Sequence, residues 1–234
     1  MSSVLVRSAI LALSLTAWPA LAHDLWLEGD GTGYTLLQGH RHSGHAGAET
    51  LPYDAAGVRG ALCLGDDGKT RPTTFGKTHP VRINGNCAAL QLRYSSGYWT
   101  KTAWETRNLP KTGITGVIRS WRSEESVKRI DRWHLALTQP MGNDLELVPQ
   151  SNPFTVKTGD KLIITVSDAG KPVANVPVAY AGETRGVTDD KGRIAIRLRQ
   201  AGMQLITASI EAPLNDGKAD ISIRSASLQF EAAP

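Results

Sequence analysis

Four histidines crowd the beginning of this chain: His23, His40, His42 and His45. Three of them fall in the run Gly39-His40-Arg41-His42-Ser43-Gly44-His45-Ala46-Gly47. Neutral imidazole is a ligand for late first-row divalent ions, and it suits nickel, cobalt, copper and zinc. His40 and His42 are two residues apart, a spacing that sends both rings to one face of an extended strand. Gly44 allows the chain to turn back at His45, and Glu49 offers a carboxylate oxygen four residues later. One histidine in a polar glycine-rich loop is an ordinary solvated group, whereas this local density points to metal. The ligand spacing of structural zinc fingers is not met, so zinc as an organiser of the fold is not expected. His79, before Pro80, and His134, in an amphipathic stretch, stand alone and read as structural.

His23 has a further property. Arg7, the apolar run Ala9 to Leu15, Pro19 and the small-x-small triplet Ala20-Leu21-Ala22 have the three-part grammar of a secretory signal. The apolar run is too short to span a bilayer. Residues 1–22 are thus expected to be removed in an exported, periplasmic protein whose first residue is His23. Its free amine and its imidazole would then chelate one ion together. Cys63 and Cys87 are the only cysteines. In an oxidising compartment such a pair is expected to form a disulfide around the polar loop Gly65 to Gly85, and a metal-binding thiolate pair is the alternative.

The elements that must hold these groups are strands. Short alternating runs are broken by Gly, Pro, Asn and Asp, which predicts an all-β fold. Asp24–Leu27, Tyr34–Gln38, Val58–Leu64 and Leu90–Tyr94 are strand candidates in the first half. Lys161–Val166, Val176–Tyr180, Ile194–Leu198, Met203–Ile210 and Ile221–Phe230 are candidates in the second. Prolines and polar residues between Gln139 and Pro153 place a boundary there. The expected organisation is two β-sandwich-like domains, 23–145 and 146–234, the second of immunoglobulin or transthyretin type. In Thr188-Asp189-Asp190-Lys191-Gly192-Arg193, Asp caps a tight turn and Gly192 supplies positive φ, a structural hairpin and not a calcium loop. Similar hairpins occur in carboxypeptidase-regulatory-like sandwiches. One short helix is expected at Ser123–Ile130, from its serine cap, early glutamates and the spacing of Val127, Ile130 and Trp133. Tyr94, Tyr98, Trp99, Trp104, Trp121 and Trp133 are expected to pack between a sheet and that helix. An exposed strip that binds sugar is the other reading.

The formal net charge of +4 is dispersed, with no basic tract, which argues against a nucleic-acid partner. No GxSxG or HExxH motif and no suggestive acid pair marks an enzyme. A terminal histidine with a second imidazole does leave open a copper-dependent oxidase of the histidine-brace kind, and a metal-free β-sandwich adaptor is a third class.

Four segments together, His23-Asp24-Leu25-Trp26-Leu27-Glu28, Gly39 to Asp54, Ser120 to Trp133, and KPVANVPVAY followed by TRGVTDDKGR, carry a resemblance across the chain after residue 22. It is similar to the NikM-like domain-of-unknown-function family, described as periplasmic components of nickel and cobalt ABC-type transport systems. That resemblance implies a β-sandwich carrier of nickel or cobalt whose partners are the membrane subunits of a metal transporter. It places His23 and His40 at recurring positions, with His42 and His45 as additions of a histidine-richer version.

Overall fold

The computed structural model describes residues 24–41 and 49–233. Strands account for most of it. Nine precede residue 145: β1 (Asp24–Gly29), β2 (Gly33–His40), β3 (Glu49–Leu51), β4 (Val58–Leu64), β5 (Thr70–Pro72), β6 (Arg82–Asn84), β7 (Ala89–Lys101), β8 (Thr106–Arg107) and β9 (Arg119–Ile130). Eight follow: β10 (Glu146–Pro149), β11 (Lys161–Asp168), β12 (Lys171–Pro172), β13 (Pro177–Tyr180), β14 (Glu183–Val187), β15 (Arg193–Arg197), β16 (Gly202–Pro213) and β17 (Ile221–Ala232). The mainly β, sandwich-type architecture expected from the alternation is present, and each strand candidate named above overlaps a strand.

The central feature is a sheet in the order β14-β13-β16-β17-β9-β7-β4-β5, with β8 added beside β7. It takes strands from both sides of residue 145. The junction is β9 with β17, paired in parallel from Trp121 opposite Ile221 to Arg129 opposite Gln229. A smaller sheet of β1, β2, β3 and β6 covers one face of this central sheet, and a third, of β10, β11, β12 and β15, covers the other.

Side-chain alternation explains the two-sided packing, because consecutive residues on a strand face opposite ways. Leu90, Leu92, Tyr94 and Val127 point to the first face and pack against Leu25, Leu27, Tyr34 and Leu36. Ala89, Ile130, Leu228 and Phe230 point to the other and pack against Leu147, Leu162, Ile164 and Ile196. Edge strand β1 is tied down by side chains. The Leu27 amide donates to Gln229 Oε1 at 2.8 Å, and Arg129 Nη1 donates to the Leu27 carbonyl at 3.0 Å.

Ser123–Ile130 is a strand, not the expected helix. Residues 119–130 lie between β7 and β17 and hydrogen-bond to both, and this tertiary pairing overrides a weak local helical signal. The short helical segments of the first half are single 3-10 turns, Ala55–Gly57 and Leu135–Thr138. Without a helix there, the aromatics separate. Tyr94 is buried, Trp133 packs against a core, Trp99 stacks on Trp121 with centroids 6.3 Å apart, and Trp104 is in solvent.

Cys63 and Cys87 form a disulfide, with Cα atoms 5.4 Å apart, closing the loop between β4 and β7. The thiolate-pair alternative is thereby removed. The Asp189 turn is structural as expected: its Oδ1 accepts from the Lys191 and Arg193 amides, at 2.9 and 2.8 Å. Gly192 has φ +72°, and a Cβ there would lie 2.8 Å from the Val173 nitrogen. His134 caps the 3-10 turn that follows it, Nδ1 accepting from the Ala136 amide at 3.0 Å. The His79 ring stands edge-on to Tyr53.

Beyond the Tyr94–Gly97 bulge the central sheet continues as an arm, built from the ends of β7 and β9, the loops 102–118, and the β16–β17 hairpin. Neither core draws a side chain from residues 95–126. The arm is closed by polar links: Tyr98 to Asp216 at 2.7 Å, Lys111 to Asp220, and Arg119 to Glu211.

Candidate metal centre

His40, the first histidine of the run, falls at one end of the small sheet, where β1 begins, β2 ends and β3 starts. The antiparallel register sets Asp24 opposite Gly39 and His40 opposite Glu49. Two expected donors, an imidazole and a carboxylate, are therefore direct cross-strand neighbours, with Cβ atoms about 5 Å apart by strand geometry. Gly39 makes this pairing possible, since a Cβ there would come within 1.8 Å of the Glu49 carbonyl oxygen. His40 and Glu49 are both exposed. His23, His42 and His45 lie outside the described residues. Among the described residues no group of three or more His, Cys, Asp or Glu side chains is arranged to hold a metal ion.

Below this end the wall is closed by a triangle of side chains, Trp26, Glu28 and Arg41. Trp26 is fully buried although it alternates away from the Leu25 and Leu27 row. The Arg41 guanidinium lies 5.5 Å from its ring centroid, and Trp26 Nε1 donates to Glu28 Oε1 at 3.2 Å. Arg41 closes the triangle by pairing with the same Glu28 oxygen at 2.5 Å. Arg41, in the middle of the histidine run, is thus a packing residue that anchors the point where β2 ends.

Behind the end stands a carboxyl that the sequence reading passed over. Glu125 on β9 belongs to the row that includes Val127, on the face toward the small sheet. Burial pushes its carboxyl up to about 7, and the negative charge of Asp24 adds to the shift. A neutral or cation-paired Glu125 is therefore favoured over a bare carboxylate. The signal for it was present, because a two-residue period through Trp121, Ser123, Glu125 and Val127 puts a charge in an apolar row. The helical reading of this segment hid that period.

A pH-dependent stability follows. A carboxyl whose folded value is raised holds its proton more tightly in the native state than in the unfolded chain. Its contribution is complete below about 4.5, the ordinary value, and is lost as pH rises through about 7. Glu125→Gln is thus expected to stabilise the metal-free protein at pH 8, on the order of 2 kcal/mol. The gain should vanish near pH 4. Urea midpoints of both forms across this range test it; a pH-independent difference would show that Glu125 ionises normally.

A cleft at the opposite end of β1 and β2, lined by Tyr34, Arg129, Asp131 and Arg132, uses its charges internally. Asp131 accepts from Tyr34 at 2.8 Å and from Arg129 at 2.7 Å, and Arg132 is held by Asp66 and Asn86. It does not compete with the histidine end as a metal centre.

No curated protein and no solved structure matches this chain. A family model described as a domain of unknown function, DUF4198, matches residues 20–212, from the run before His23 to the end of β16, and the chain belongs to that family.

Proposed function

We propose that this is an exported, periplasmic protein that binds a late first-row divalent cation as cargo, nickel or cobalt first, and hands it to the membrane subunits of a metal transporter. The observation that carries the reading is the pairing of His40 with Glu49 next to Asp24 and Gly39. His23 directly precedes Asp24 in sequence, and His42 and His45 fall between His40 and Glu49. The similarity to the NikM-like family supports nickel and cobalt as the cargo. Copper is the chemical rival, because it binds nitrogen ligands more tightly, and zinc is a weaker one.

The experiment is calorimetric titration of nickel, cobalt, copper and zinc into three forms of the protein. They are the form beginning at His23, one with an extra residue before His23, and His40→Ala/His42→Ala. The extension turns the terminal amine into an amide and removes a ligand. Each altered form is expected to bind at least about tenfold more weakly, and binding should weaken as pH falls through about 6.5, where imidazoles protonate. Equal affinity in all three forms would exclude this site. Metal analysis of protein taken from its own host, without a histidine tag or chelator, identifies the cargo.

A further inference from the structure

The arm has no partner among the described residues that accounts for its apolar tip. Trp104 is 92% exposed, Ile118 65% and Leu109 50%. The backbones of these three residues meet around one place. Trp104 sits in the four-residue turn between β7 and β8, where Lys101 pairs with Thr106. The Ile118 amide donates to the Lys101 carbonyl at 2.8 Å, and Thr100 Oγ1 donates to the Leu109 carbonyl at 2.8 Å. All three therefore flank the last two residues of β7. An indole in full contact with water is unfavourable, and a cluster of such groups at one tip marks a contact surface.

We propose that this tip docks on an anionic lipid surface, with Trp104 entering the headgroup region. Two observations select a bilayer over a folded protein partner. The first is charge. Residues 98–122 contain five cations against one carboxylate, Glu105, and the β16–β17 hairpin adds Lys218 with Glu211, Asp216 and Asp220, which leaves a net positive arm. The carboxylates of the arm are all engaged: Glu105 with Arg107, Glu211 with Arg119, Asp220 with Lys111, and Asp216 with Tyr98. Lys101, beside Trp104 and Ile118, makes no ion pair among the described residues. Its charge is left facing outward, and it meets an anionic surface favourably. The second is shape. The apolar groups sit in the loops 102–118 and not on a strand face. A stable protein interface needs about 800 Å² of complementary surface per partner. A fluid bilayer needs no such match, and its interface accepts an isolated indole with an adjacent lysine. The inference stands apart from the metal proposal, since it uses no residue of the histidine end.

Co-sedimentation tests it with the protein as its host processes it. The vesicles are phosphatidylcholine alone or mixed with phosphatidylglycerol, with Trp104→Ser and Ile118→Ser as comparison proteins. The expected result is binding to the mixed vesicles, loss at high salt, and a weakening of about ten- to a hundredfold for Trp104→Ser at unchanged melting temperature. Lys101→Gln is expected to reduce binding to the mixed vesicles alone. The proposal is overturned by absence of sedimentation with either vesicle, by equal binding to both, or by wild-type binding of Trp104→Ser. Arm-dependent self-association in light scattering without lipid would also overturn it, since the tip would then be a protein interface.

Discussion

Residues 146–234, expressed alone, are expected to give no cooperative melting transition. The strand pattern of this half, taken by itself, suggests a self-contained sandwich. The packing argues otherwise. The core beneath β10, β11 and β15 also takes Leu64, Ala88, Ala89, Ile130 and Leu137 from the first half. Excision would expose the apolar surface that these residues cover. It would also strip β17 of its parallel neighbour β9 and turn a central strand into a long bare edge. Each buried aliphatic side chain is worth about 1.5–3 kcal/mol, so uncovering several removes the whole of a typical stability of about 5–15 kcal/mol. Circular dichroism melting of the fragment beside the full protein is the measurement. A sharp transition in the fragment would mean that its core closes without the first half.

Lys128→Met is expected to lower the melting temperature by roughly 6–20 °C, a loss of about 3–5 kcal/mol. Lys128 on β9 and Glu146 on β10 form an ion pair at 2.6 Å with side chains 1% and 0% exposed. Glu146 also accepts the amides of Met141, at 2.9 Å, and Gly142, at 3.2 Å. Removing the ammonium leaves a carboxylate in a dry interior with only those amide dipoles, the costly way to break such a pair. A neutral acceptor would suffer less. Glu146→Gln added to Lys128→Met is therefore expected to recover part of the loss, because the amide oxygen can still accept from Met141 or Gly142. A full hydrophobic replacement of both partners is not expected to be harmless here, since it would orphan those two amides. Lys128→Met within about 2 °C of wild type would show that the charge finds another partner.

The strands were legible because two-residue alternation survives in short segments such as Lys161–Val166 and Ile221–Phe230. Residues 123–130 show where that reading stops. Val127 and Ile130, with Trp133, satisfy a helical spacing, while their partners in the sheet, on β7 and β17, lie far away in sequence. No local pattern reports a neighbour a hundred residues distant, so the sheet across residue 145 could not be read beforehand, and the Lys128–Glu146 pair, 18 residues apart, depends on β9 being a strand that packs on β10. At the candidate centre, the facing of His40 and Glu49 depends on a hairpin register that residue counting does not fix. Glu125 depends on β9 being a strand. The disulfide was legible because it rests on an even cysteine count and on compartment chemistry, neither of which needs the fold.

The parallel junction of β9 with β17 also sets an order of events in time. Contacts between distant residues form late, after the entropy of closing the intervening loop has been met. β17 lies between β16 and β9, so the central sheet cannot be completed until the segment 221–232 is free to insert. Until β17 inserts, β9 keeps one open edge, so the two halves of the central sheet are joined by the last of its strands in chain order.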